Sequence, residues 1–467
     1  MGDRKVRVMA VLICVTLLLT GVDVGLGGLV DQVRASSGGP EDGCGRPLYH
    51  PDGAPWNHQT PCPVSNGVDP MDADGGGGPG ARFESPYVAY STGGSWVEAV
   101  SMDDLDRDGK LDMALSTSDY SDPSRDQRLW VVRQSSPLRF SLVYSAPVGA
   151  SDPESLDVAD MDGDGYLDVV VANADGGASG TGDVEIFWAT GTFTFTRTDH
   201  PAGDTPYAVT TMPVYDHTGT TGYTSTLAVV TNWNDTILST YLGGTGHTVT
   251  RTNYPAPEAG WNQLATGDLN DDGDQDVAAM WGQLYAVPAF TEYFGDGEGN
   301  LSVGPDFSKD DQNPSAVGAG DVTNDGRDDV IIARGGNDAE ILIYAQGPGG
   351  ELSHTATYAA YDCPESLDVA DVNCDGISDL VATNAGWEAF SWWPGQPDGT
   401  LGPYQIEPHS FYFSHIGPNG AEMADVNGDG LKDYVVVDYN ADGVLVALQK
   451  PCLTNKLYLP LVTRSAT

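Results

Sequence analysis

Six acidic nonapeptides of a single pattern, D-x-[DNT]-x-D-G-x-x-D, recur along the chain and begin at Asp104, Asp160, Asp268, Asp321, Asp371 and Asp425. The intervals are 56, 108, 53, 50 and 54 residues. The 108-residue interval is two repeats long, so there are seven repeats and one has lost its loop. A unit of this size, rich in strand signals, cannot bury its apolar faces alone and must stack on its neighbours.

The loop chemistry points to calcium. Ca²⁺ takes six to eight hard oxygen ligands. Side chains at loop positions 1, 3, 5 and 9, with the backbone carbonyl of position 7, can wrap one ion, and glycine at position 6 allows the sharp turn between them. The first two loops supply Asp104, Asp106, Asp108, Lys110 (carbonyl) and Asp112, then Asp160, Asp162, Asp164, Tyr166 (carbonyl) and Asp168. The third and fourth supply Asp268, Asn270, Asp272, Asp274 (carbonyl) and Asp276, then Asp321, Thr323, Asp325, Arg327 (carbonyl) and Asp329. The last two supply Asp371, Asn373, Asp375, Ile377 (carbonyl) and Asp379, then Asp425, Asn427, Asp429, Leu431 (carbonyl) and Asp433.

An EF-hand begins the same way but needs a bidentate Glu at position 12 and a helix on each side. Position 12 here is Leu115, Val171, Ala279, Ile332, Ala382 and Val436, and runs such as Val169-Val170-Val171 and Val435-Val436-Val437 are β-formers. The loops therefore join strands. Asp-Gly turns without an ion also join strands. Clustered carboxylates with no cation, however, would repel one another in all six loops.

Repeats of this length suggest propeller blades. The second repeat holds four strand-like runs at 154–159, 168–172, 184–189 and 193–198, with the acidic loop between the first and second. The second run is apolar on both faces, as expected for a strand sandwiched between neighbouring blades. The loopless repeat reads Val214-Tyr215-Asp216-His217 where a loop would stand, yet keeps the strand Leu227-Ala228-Val229-Val230. The last repeat has no fourth strand after Leu448, so residues 81–91 are expected to supply it. The fold expected is an all-β, seven-bladed propeller over 81–450, with about six Ca²⁺ ions in loops between the first and second strands of six blades.

With these residues in hand, the chain resembles the FG-GAP/VCBS repeat family, whose blades also build integrin α-subunit heads. The resemblance rests on Asp425-Val426-Asn427-Gly428-Asp429-Gly430-Leu431-Lys432-Asp433 followed by Tyr434-Val435-Val436-Val437. It implies the propeller and its calcium. Relatives include adhesins, lectin-like modules and domains attached to enzymes, and one fold hosts many functions.

The remaining chain bounds location and partners. Arg4, Lys5 and Arg7 precede an apolar run over 8–19, and Val33-Arg34-Ala35 offers a small-residue cut. Residues 1–35 read as a secretory signal peptide, with an uncleaved anchor as the alternative. Residues 36–80 read as a Gly/Pro-rich linker holding Cys44 and Cys62, which are close enough to pair, and 451–467 as a tail. Beyond the signal there is no stretch of membrane-span length. Five cysteines remain, an odd number, and Cys363 and Cys374 flank a predicted strand too long for a disulfide. The formal charge of −46 disfavours nucleic acid and anionic membranes and suits a secreted, extracellular protein.

The chain has no H-E-x-x-H, G-x-S-x-G or P-loop motif, so an enzyme is not the first expectation. A calcium-dependent polysaccharide lyase or glycoside hydrolase using paired carboxylates is the alternative, and a pure scaffold the third reading. Six residues before each loop lies a polar register of Glu98, Glu154, Asn262, Ser315, Glu365 and Asn419, with Tyr207 in the loopless repeat. Such a ring could bind the hydroxyls of an extracellular glycan or a cationic group of a protein ligand, or merely start strands at a solvated rim.

Overall fold

The computed structural model describes residues 82–451 except 93–95, 119–126, 150–151, 175–181, 217–221, 258, 260, 283–287, 309–313, 336–338, 362–363, 385–388, 410–418 and 439–442. The signal, linker and tail expectations, and every cysteine but Cys374, lie outside the described residues. The described residues form 28 strands in seven four-stranded sheets and no helix. Blade 2 sets the pattern: Pro153–Ala159, Asp168–Asn173, Asp183–Gly191 and Thr194–Pro201 pair antiparallel in sequence order. Each boundary falls within three residues of the sequence expectation. The same order builds blades 1 (96–147), 3 (206–255), 4 (261–308), 5 (314–359) and 6 (364–408).

Blade 7 is built from both ends of the described chain. Ala421–Ala424, Asp433–Asp438 and Gly443–Ala447 are its first three strands, and Tyr87–Ser91 pairs with Gly443–Ala447 as the fourth. The clasp continues outward, with Phe83 bridging Gln449 and the Lys450 amide donating to the Arg82 carbonyl at 2.6 Å. The Glu407 carboxylate of blade 6 accepts from the backbone amides of Arg82 and Phe83. The inner strands contact one another in turn around the ring, and blade 7 touches blade 1.

The core is a set of seven apolar clusters, most of them spanning one pair of adjacent blades. Alternation along the second strand explains why it is apolar throughout. Val169 and Val171 pack into the cluster with blade 1, while Val170 and Ala172 pack into the cluster with blade 3. All four are fully buried, so each such strand contributes to two interfaces at once. No helix of the described residues is long and apolar enough to cross a membrane. Cys374 is disulfide-bonded.

Candidate metal centres

All six acidic loops adopt one conformation. The position 1 carboxylate accepts the backbone amide of position 6, as in Gly165 to Asp160 at 2.8 Å, Gly273 to Asp268 at 3.0 Å and Gly376 to Asp371 at 2.9 Å. In the five loops with Asp or Asn at position 3, that side chain accepts the amide of position 5, as in Asp108 to Asp106 at 3.1 Å, Asp272 to Asn270 at 2.9 Å and Asp429 to Asn427 at 2.8 Å. Position 5 accepts the amide of position 7, as in Tyr166 to Asp164 at 2.7 Å and Leu431 to Asp429 at 2.9 Å. These nested Asx turns hold the oxygens on the inside of a coil. Position 6 is a glycine at φ between 84° and 91° in every loop. Position 4 is also left-handed in every loop, although it is Arg107, Asp271, Asn324 and Cys374 in four of them. Position 2, always Leu, Met or Val, is buried in all six and pins the coil to the blade.

Position 9 has a second task. Asp168 accepts the Met161 amide on one oxygen at 2.9 Å and the Ala189 amide on the other at 2.7 Å. Asp276, Asp329, Asp379 and Asp433 make the same pair of bonds to the amide at position 2 and to the end of the third strand. Burial pushes these acids up, Asp168 and Asp276 to about 7 and Asp112, Asp379 and Asp433 to about 6, against the backbone bonds that pull them down. Each carboxylate oxygen keeps a further lone pair after accepting one amide.

Neighbouring blades hold the loops from outside. The Gln346 side chain donates to the Asp268 carbonyl at 2.7 Å, Gln449 to the Val372 carbonyl at 3.0 Å and Gln134 to the Val426 carbonyl at 3.0 Å. Blade 3, which has no acidic loop, instead lengthens its first hairpin to Pro206–Asp216 and Gly222–Asn232. Through it the Tyr223 and Thr226 hydroxyls donate to the Asp160 carbonyl. A side chain at Gly163 would meet the Thr224 carbonyl at 2.2 Å, so glycine there permits the close approach.

The donor sets suit a hard divalent cation. Oxygens of Asp104, Asp106 and Asp108 lie within 4.8 Å of one another, as do oxygens of Asp160, Asp162 and Asp168. Asp160 Oδ1 and Asp112 Oδ2 are buried without a hydrogen-bond partner. Buried carboxylate oxygens left this way are costly, and a cation among them removes the cost.

The polar register six residues before the loops is largely engaged within the fold. Glu98 is 1 % exposed and accepts from the Ser118 hydroxyl. Tyr207 is 3 % exposed, with its ring 4.8 Å from that of Trp233. Ser315 donates to the Pro364 carbonyl at 2.6 Å. Asn419 reaches across the axis and donates to the carbonyls of Leu156 and Val209, both at 2.8 Å. Gln263 of blade 4 donates to the Glu365 carbonyl of blade 6 at 3.0 Å, past the blade between them. Asn262 pairs with Trp281 in blade 4, and Glu154 and Glu365 are half-buried. Of this register Asn419 bridges the axis, while Glu98 and Tyr207 are engaged within their own blades and Ser315 with the next.

Three residues nearer the loops the axis holds Asp157, Asp368 and Glu422, which sequence reasoning missed. Asp157 accepts from Ser101 of blade 1 at 3.4 Å and from Thr211 of blade 3 at 2.9 Å. Asp157, Asp368 and Glu422 also accept the Thr211, Met423 and Met102 amides of the next blade. They therefore cap the free edges of three inner strands, those of blades 3, 7 and 1. Burial pushes Asp157 up to about 6 and Asp368 to about 7. Glu422 is raised further by burial and by the charges of Asp157 and Asp368.

The FG-GAP-like repeat model matches residues 104–171, 321–382 and 371–436. Each match runs from position 1 of one loop to position 12 of another. No curated protein matches the chain. The loop at Asp268 falls outside the matches yet folds as the others do. With its matched segments running loop to loop on a closed ring of seven blades, the chain is a seven-bladed β-propeller that carries FG-GAP-like repeats over residues 104–171 and 321–436.

Proposed function

We propose that the protein is a secreted, calcium-stabilised propeller that serves as an extracellular recognition or adhesion module for a glycan or protein ligand. One observation supports the calcium part: six loops share the same hydrogen-bonded coil, two of them bring oxygens of three carboxylates within 4.8 Å of one another, and buried oxygens of Asp112 and Asp160 lack a partner. Side-chain oxygens at positions 1, 3, 5 and 9 and the position 7 carbonyl would hold the ion. Calcium supplies charge neutralisation there, and the chain's own amides, glutamines and blade 3 hairpin keep the oxygens in place. The recognition part rests on the fold, which commonly serves such modules. A formal charge of −46 favours neutral or cationic partners.

Metal analysis of protein stripped with EDTA and reloaded is expected to return close to six Ca²⁺ per chain. A value near zero refutes the calcium reading. A glycan array and a pull-down from extracellular matrix, each with and without EDTA, test recognition. Calcium-dependent release of oligosaccharide products from a polysaccharide would replace the binding module with an enzyme.

A further inference from the structure

We infer that loop 1 alone holds a guanidinium from outside its own nonapeptide against its carboxylates, and that this Arg133 side chain and a divalent cation compete for them. This rests on the calcium reading above. Arg133 lies outside the nonapeptide, on the third strand of blade 1, Arg128–Ser136. Its Nε is 2.6 Å from Asp106 Oδ2 and its Nη2 is 3.0 Å from Asp108 Oδ2. The first contact is not aligned for a hydrogen bond, since Nε has no hydrogen-bond acceptor. It is therefore a charge contact. Lys110 at position 7 adds a second cation, with Nζ 2.6 Å from Asp108 Oδ2.

The register makes loop 1 a special case. Arg133 immediately precedes the residue whose amide caps position 9. The residues at the same place in the other loop-bearing blades are Trp188, Phe294, Ala345, Pro394 and Leu448. None of these can pair with a carboxylate. Position 7 is basic only in loop 1 and in loop 4, where Arg327 pairs with Asp325. Loop 1 thus sets two protein cations against four carboxylates, while loop 2 has four carboxylates and Tyr166 at position 7. The nearby Arg107 guanidinium lies over the Tyr166 ring at 4.3 Å.

A second feature points to a ligand in this loop. Asp112 is 0 % exposed and its Oδ2 has no hydrogen-bond partner. In the other five loops the equivalent oxygen accepts the position 2 amide. In loop 1 that amide, Leu105, keeps the bond to the Asp103 carbonyl at 3.0 Å that Val322 and Val426 also make to Gly320 and Ala424, but it does not reach Asp112. Loop 1 therefore keeps a spare buried oxygen for a metal beside a guanidinium that holds the same cluster when the metal is absent. Calcium at its usual 2.3–2.6 Å from these oxygens would need the volume that Arg133 fills. Arg133 is partly exposed but Asp106 is nearly buried, with side chains 39 % and 5 % exposed, so displacing the pair costs somewhat more than a surface ion pair and the expected penalty on affinity is about three- to tenfold. Loop 1 would then empty first as calcium falls, passing the guanidinium from solvent to protein.

Calorimetric titration of the full chain with CaCl₂ at low salt tests this. The parent is expected to show one site weaker than the rest. Arg133→Gln should tighten that site about three- to tenfold, Arg133→Lys should leave it weak, and adding Asp108→Asn to Arg133→Gln should remove it. An isotherm unchanged by Arg133→Gln, an equal shift at all sites, or a Lys variant as tight as the Gln variant overturns the inference while leaving calcium binding intact. A parent that binds no calcium refutes the underlying reading instead.

Discussion

At the scale of single residues, the aspartates of one loop are not equivalent. Asp168 is buried and satisfies two backbone amides, whereas Asp164 is exposed and accepts from the backbone amide of Tyr166. Removing a charged acceptor from buried donors costs about 1–3 kcal/mol for each donor. Asp168→Ala is therefore expected to destabilise the protein by several kcal/mol even in EDTA. Asp164→Ala should cost little in EDTA and act mainly through a lost ion. Urea unfolding of both variants with and without calcium checks this, and equal losses in EDTA would argue against the bracket role of position 9. The axial acids set a pH dependence. Their folded pKa values, about 6 for Asp157 and about 7 for Asp368, lie above the unfolded value near 4. The folded state therefore binds protons more tightly. Its benefit is complete below the unfolded pKa and is lost as pH rises through 6 to 7. In EDTA the midpoint of thermal unfolding should fall by a few degrees between pH 5 and pH 8. Asp368→Asn, which imitates the protonated form, should flatten that decline; a variant with the parent's slope would exclude Asp368 as its source.

At the scale of elements, the strand order was legible because each second strand alternates between two interfaces and so reads as a continuous apolar run. The loopless third blade was legible for the same reason, since Leu227–Val230 survives without its acidic neighbour. The role of Tyr87–Ser91 could be inferred from a missing strand at the far end of the chain. The interior of the ring was not legible. Counting six residues back from a loop finds Glu98 and Asn419, but local spacing does not reveal that Asn419 meets carbonyls from two blades across the axis. Nor did the motif announce the left-handed turn at position 4, because Arg107 and Cys374 carry no glycine-like signature. Closure by the N-terminal strand makes a direct prediction. Removing residues 36–78 should leave thermal stability unchanged, whereas extending the deletion through Thr92 should expose the Gly443–Ala447 edge and cause aggregation. Indistinguishable light scattering from the two truncations would contradict the clasp.

At the scale of the whole molecule, the ions and the ring are expected to act together. A site with calcium tenfold above its Kd stabilises by about 1.4 kcal/mol. Six independent sites would contribute on the order of 8 kcal/mol, comparable to the stability of a typical domain. The thermal midpoint should therefore fall steeply when millimolar calcium is replaced by excess EDTA, and a midpoint that does not move would make the loops ordinary turns.

The clasp also orders events in time. Tyr87–Ser91 is among the first described segments to be synthesised, and its partner Gly443–Ala447 among the last. At roughly 5–20 residues per second, an emerging chain leaves the early strand without its partner for about 20–70 s. During that interval six blades can stack in order behind the ribosome, but the seventh interface does not exist. Circularity is the final act of folding, and any fragment that stops before residue 443 is an open arc with two sticky ends.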